Sequence, residues 1–140
     1  MSDNGLPSVI PFLSYEDVGG SADWLVRAFG FEEVERLSEG DGRVAHSTLR
    51  LNGGVVMLGN PGADYQSPKR HADVCEHARR WLTVPYVVDG VLVYVDDLDA
   101  HCERARSAGA TILSEPEDTP HGRHYRAADV EGHRWMFSAR

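Results

Sequence analysis

At 140 residues, with 41% hydrophobic and 26% charged side chains, the chain has the composition of a globular protein large enough for a real core. A net charge of −8 argues against nucleic acid as a partner, because affinity for a phosphate backbone comes from basic side chains. No apolar run approaches the ~18 residues that span a bilayer, residues 1–12 lack the pattern of a secretion signal, and Cys75 and Cys102 are too few for a disulfide scaffold. The expectation is a cytoplasmic chain with reduced thiols and no membrane partner.

Met1–Pro7 is polar and reads as loose. Val9–Tyr15 reads as a first strand, with Pro11 near its start pointing to an edge or to a place where the missing N–H is harmless. Gly19-Gly20-Ser21 opens a helix over Ser21–Phe29, capped by Ser21 and stopped by Gly30. Ala22, Leu25, Val26 and Phe29 form its buried stripe, and Trp24 reads as a core residue beside them. Phe31–Leu37 is the second strand, and Glu39-Gly40-Asp41-Gly42 a turn. Residues 44–58 form a hairpin folded at Asn52-Gly53, the strongest short hairpin signal a sequence offers.

Residues 60–89 are less regular. Asn60-Pro61-Gly62 and Ser67-Pro68 mark loops. A helix follows over Arg70–Leu82, with His71, Cys75, Ala78 and Leu82 on one side. The spacing of His71, Cys75 and His77 fits no zinc motif and reads as a solvated helix face. Trp81 and Tyr86 flank this segment as candidates for closing a site or for a subunit contact. Val91–Val95 is then a strand, and Asp99–Ala108 a helix whose apolar side is Leu98, Cys102, Ala105 and Ala108. Thr111–Ser114 is a strand and Glu115–Thr119 a polar loop. A last hairpin pairs Tyr125–Asp129 with Arg134–Ser138 about the turn Val130-Glu131-Gly132-His133.

The strand, helix and hairpin arrangement occurs twice, with Met57 and Met136 at matching places. This repeat predicts an α+β domain of two βαβββ modules, about residues 8–59 and 90–138, joined by the connecting segment 60–89.

The repeat, together with D-D-L-D-A-H-C-E-R-A-R-S-A-G-A from Asp96 and P-E-D-T-P-H-G-R-H-Y-R-A-A-D-V-E-G-H-R-W-M-F from Pro116, resembles the vicinal oxygen chelate superfamily. That superfamily takes in glyoxalase I, extradiol dioxygenases, fosfomycin-modifying enzymes and bleomycin-resistance proteins. The resemblance implies an open, curved, mixed-sheet half-barrel with helices on its outer face, and a homodimer. In the enzymes it implies four strand residues, His, Gln or Glu, holding one divalent metal in a cleft. Those positions fall here on Ile10, Met57, Gly90 and Met136, which offer no hard oxygen or imidazole donor.

Counting in twos from these positions assigns the cleft face to Phe12, Ser14, His46, Thr48, Arg50, Met57, Leu92, Tyr94, Tyr125, Arg134 and Met136. Arg123 joins them from a rim loop as a holder of anions. The opposite face takes Leu13, Leu49, Leu51, Val91, Val93, Val95, Trp135 and Phe137. The expectation is a binder of a small, aromatic or extended compound, resembling bleomycin-resistance proteins and using neither metal nor other cofactor. The alternative is a glyoxalase-like lyase or dioxygenase with a displaced metal on His46, His121 or His124 and a carboxylate.

Overall fold

The computed structural model describes residues 5–140, so the polar start at Met1–Asn4 lies outside the described residues. Two compact units divide the chain between Tyr65 and Gln66. Each contains one open four-stranded mixed sheet.

The first unit runs β1 (Phe12–Ser14), α1 (Val18–Phe29), β2 (Glu32–Ser38), β3 (Val44–Leu51) and β4 (Gly54–Gly59), with sheet order β1-β4-β3-β2. β1 lies parallel to β4, and the other pairs are antiparallel. β1 is shorter than Val9–Tyr15. Pro11 has no N–H for a ladder and contributes only its carbonyl, which accepts from Met57 N–H. α1 starts a turn earlier than the glycines suggested. Asp17, not Ser21, is the N-cap: its Oδ1 accepts the Gly20 N–H at 3.0 Å, and Ser21 is buried within the helix. A carboxylate caps as well as a hydroxyl and also complements the helix dipole. The stripe of α1 meets β3 and β4 over Tyr15, Leu25, Phe29, Leu49 and Leu58, all fully buried. Trp24 packs edge-on to Phe29 at 5.0 Å.

The second unit runs α2 (Pro68–Val74), α3 (Glu76–Trp81), β5 (Gly90–Val95), α4 (Leu98–Ser107), β6 (Thr111–Thr119), β7 (Gly122–Ala128) and β8 (Arg134–Ala139), with sheet order β5-β8-β7-β6. The helix expected over Arg70–Leu82 is two helices, broken where Cys75 adopts extended angles of φ −135° and ψ 113°. The expected polar loop at Glu115–Thr119 is strand: β6 continues through it as the sheet edge. Register shifts on either side of Ser114 take up Pro116, an arrangement edges tolerate. α4 begins one residue before Asp99, capped by Asp97 on the Ala100 N–H. It covers Tyr125 and Phe137, whose rings stack at 5.2 Å, with His101 4.3 Å from Phe137.

The turn between β7 and β8 has five residues, Asp129–His133. Asp129 leaves the ladder and spends its carboxylate on three donors. Oδ1 accepts the N–H groups of Glu131 at 3.1 Å and His133 at 3.0 Å, and Oδ2 accepts the buried Trp135 indole N–H at 2.9 Å. Gly132 has φ +90°, and a Cβ there would meet Lys69 N at 2.8 Å. Only glycine therefore suits a position where the start of α2 docks through Lys69 N–H on Glu131 O. The ending D-x-x-G-H-x-W is thus a local physical unit of carboxylate, bare backbone and indole.

Among the described residues no helix is long and apolar enough to cross a membrane. Both cysteines are free. Cys102 is wholly buried, and burial pushes its thiol up despite the neighbouring Arg106, while Cys75 is partly exposed. We expect one thiol per native chain to react with a chromogenic disulfide reagent and two in urea, read by absorbance. Two rapid equivalents in the native protein would contradict this packing.

Candidate functional site

In each sheet the apolar face carries the helix, so the other face is where ligand chemistry has to be sought. In the first unit the register sets Phe12, Met57, Thr48 and Glu35 side by side across β1, β4, β3 and β2. Leu49, Val56 and Leu58 alternate with them and are buried toward α1. Phe12, Ser14, His46, Thr48, Arg50 and Met57 therefore share the face away from α1, as the counting in twos expected. Phe12 is 63% exposed. Its ring lies across Gly59, where a Cβ would come within 2.7 Å, and sits 5.8 Å from the His46 ring. His46 Nε2 and Thr48 Oγ1 share a hydrogen bond of 3.0 Å, which turns the imidazole along the sheet. Ser14 is pinned by its carbonyl, which accepts the Tyr65 hydroxyl at 2.9 Å.

In the second unit Leu92 pairs with Met136 and Tyr94 with Ser138, which puts Leu92, Tyr94, Arg134 and Met136 on the face away from α4. Leu92 and Tyr94 are each half exposed. Two residues depart from the sequence assignment. Tyr125 pairs with Phe137, so it faces α4; it is fully buried, with its hydroxyl 2.6 Å from His101 Nδ1. Arg123 lies in β7 and not in a rim loop. It shares the side of Tyr125 and is bound to Asp99 at 2.9 Å and Asp118 at 3.3 Å, which hold its guanidinium firmly charged. The cause of both departures is the five-residue turn. One residue more than the four expected flips every side chain of β7 to the other face.

The same flip brings to the face away from α4 two residues that the counting in twos had left off it. His124 pairs with Ser138 and is buried. Arg126 pairs with Met136, and its guanidinium stands 5.9 Å from the centre of the Tyr86 ring. A cavity of about 190 Å³ opens here, lined by Pro85, Tyr86, Leu92, Arg126, Arg134 and Met136 among others. The segment before β5 forms one wall because Arg134 donates to Leu82 O at 2.6 Å and Val84 O at 3.3 Å. Tyr86, which the sequence offered with Trp81 as a candidate for closing a site, is the one of the two that lines this cavity.

A profile of the Glyoxalase/Bleomycin resistance protein/Dioxygenase superfamily matches residues 9–137. The chain belongs to this superfamily. Curated relatives include an uncharacterised protein of Mycobacterium bovis, 33% identical over 98% of this chain and 86% of its own length. Another is an uncharacterised protein of Mycobacterium tuberculosis, also 33% identical, over 98% of this chain and 76% of its own length. Among solved structures, TioX from Micromonospora sp. ML1 superposes with a TM-score of 0.69 at 32% identity, covering 96% of both chains. TnmS3, an antibiotic-binding protein from Streptomyces sp. CB03234, shares the fold at 20% identity with a TM-score of 0.62, over 95% of this chain and 96% of its own.

Superfamily membership raises the question of a metal, and the donor chemistry answers it for the expected positions. Phe12 pairs with Met57 as Leu92 pairs with Met136, so Ile10 and Gly90 stand at the same step in each unit. Two thioethers, a hydrocarbon and a glycine do not fit Mg²⁺, Mn²⁺ or Zn²⁺. Among the described residues no three His, Cys, Asp or Glu side chains gather as a metal-binding group.

Proposed function

We propose that this member of the superfamily binds a small, largely apolar aromatic compound and holds it without altering it. The reading is carried by the cavity beside Met136. Apolar and aromatic side chains line most of it, with Arg126 and Arg134 beside them, where a metal-using relative would present imidazole or carboxylate. Its size supports a single ring or one ring of a larger ligand, since an apolar cavity of about 150 Å³ accommodates benzene. Phe12 and Met57 offer a comparable apolar patch on the first unit's face. Sequestration needs only buried area and stacking, and no reacting group. The same proposal takes the chain to be cytoplasmic, and to be a homodimer as the family resemblance implies.

The test is a thermal-shift screen over aromatic antibiotics, catechols and thiol conjugates, with each hit recovered and weighed by mass spectrometry. A ligand at 100 times its Kd adds about 2.7 kcal/mol to native stability, enough for a clear rise in Tm. The expected result is a stabilising aromatic compound recovered unchanged, at equal affinity before and after chelation. Turnover of a hit by protein holding near-stoichiometric Mn, Fe, Ni or Zn, lost on chelation, would sink the reading in favour of the lyase or dioxygenase. Sedimentation at monomer mass would remove the dimer.

A further inference from the structure

Two arginines of the second sheet, Arg126 and Arg134, differ from those that carry their own acids. Arg36, Arg106 and Arg123 each have a carboxylate within 3 Å, on Asp23, Glu115 and Asp99 respectively. Arg126 and Arg134 have none among the described residues. Arg134 is 6% exposed, and its only hydrogen bonds are to two backbone carbonyls. Burial lowers its proton affinity with no acid nearby to offset the loss. Arg126 has only the Tyr86 ring. Ala128 pairs with Arg134 and Arg126 with Met136, so the two guanidinium-bearing residues are diagonal neighbours on adjacent strands, on one face, at one cavity. Two cations placed this way repel each other, and burying one of them is costly unless a counter-charge arrives.

A second observation points the same way. Three buried side-chain atoms lack a hydrogen-bond partner among the described residues: Arg134 Nε, Ser114 Oγ and His124 Nδ1. Ser114 pairs with Arg126, and His124 lies two residues before Arg126 in β7, so all three belong to the same face of the second sheet. Native interiors satisfy nearly all such groups, and of the three it is Arg134 Nε that lies at the cavity itself.

We propose that the cavity of the second unit is an anion receptor, taking an aromatic compound that carries a carboxylate or similar anionic group. The ring lies against Leu92, Met136 and Tyr86, and the anion meets Arg126 and Arg134. This rests on the binding function proposed above and adds the charge of the ligand. It also explains how an acidic chain selects an anionic ligand: Arg123 is already neutralised by its own acids, and Arg126 and Arg134 are not.

The experiment uses the full chain labelled at its methionine methyls, with the Met57 methyl read alongside to report any binding at the first unit's face. Benzoate, benzamide and benzylamine serve as ring-matched anionic, neutral and cationic probes. Benzoate is expected to shift the Met136 methyl with a Kd at least tenfold below that of benzamide, and benzylamine to leave it in place. In Arg126→Gln benzoate falls to the level of benzamide, and Arg126→Lys restores part of the preference. Arg134→Gln abolishes the preference too, but Arg126 is the primary test because it is less buried and, unlike Arg134, holds no backbone carbonyl. If benzamide binds as well as benzoate, or Arg126→Gln keeps the preference, the anion receptor is wrong while the apolar pocket stands. If no probe moves Met136 up to its solubility limit, both the receptor and the pocket fall.

Discussion

Asp129→Ala lowers the unfolding free energy by about 3 kcal/mol and shifts the urea midpoint accordingly, with tryptophan emission moving red early in the transition. The carboxylate is 5% exposed and serves three donors, two backbone amides and the Trp135 indole. Each buried donor left without an acceptor costs roughly 1–3 kcal/mol. Asp129→Asn recovers less than half of the loss. Its one amide oxygen satisfies either the amides or the indole, and its NH₂ then faces another N–H. Because the carboxylate also fixes the turn at five residues, the variants probe the register of β7 on β8 and hence the face that Arg126 and Met136 share. A midpoint within experimental error of the parent for Asp129→Ala would show that the turn closes without its carboxylate.

Stability is expected to fall steeply above pH 10, in a way that Tyr125→Phe relieves. Burial pushes the Tyr125 phenol well above its ordinary value of 10, and its hydroxyl shares a hydrogen bond with His101. The native chain therefore keeps this proton where the unfolded chain loses it. Below pH 10 both states hold it and the contribution is complete. Above pH 10 the unfolded state binds fewer protons, so stability declines with rising pH by about 1.4 kcal/mol per unit, or nearly 3 kcal/mol by pH 12. Urea unfolding from pH 9 to 12 measures the slope. Tyr125→Phe starts lower at neutral pH, by about 1 kcal/mol for the lost hydrogen bond, and shows a shallower alkaline slope. Equal slopes in parent and variant would mean that Tyr125 ionises freely in the folded protein.

The two-module plan was legible because turns announce themselves. Asn52-Gly53 fixed the register of β3 on β4, and with it the face of His46, Thr48, Arg50 and Met57. The second hairpin misled by a single residue. Asp129 reads as the end of a strand, yet its carboxylate draws it into the turn. Tyr125 and Arg123 consequently exchange faces with His124 and Arg126. The loss was specific to function, since it hid the unpaired arginine beside the cavity and advanced one held by Asp99 and Asp118. Composition misled at Glu115–Thr119, where charge and Pro116 suit an edge strand as well as a loop. The break at Cys75 had no local signal, because neither glycine nor proline stands there. Tyr86 was a candidate from the sequence, but its place beside the cavity follows only from the backbone before β5 being held by Arg134.

In both units the strand that comes first lies parallel to the strand that comes last. Phe12 waits for Met57, and Leu92 for Met136, before either gains its ladder. The hairpins β3–β4 and β7–β8 are local and form early, whereas β1 and β5 lock in only after a long stretch of chain has been looped back at full entropic cost. Phe12 and Leu92 are therefore expected to take their places beside the two methionines last, and no fragment ending before β4 or β8 completes either face.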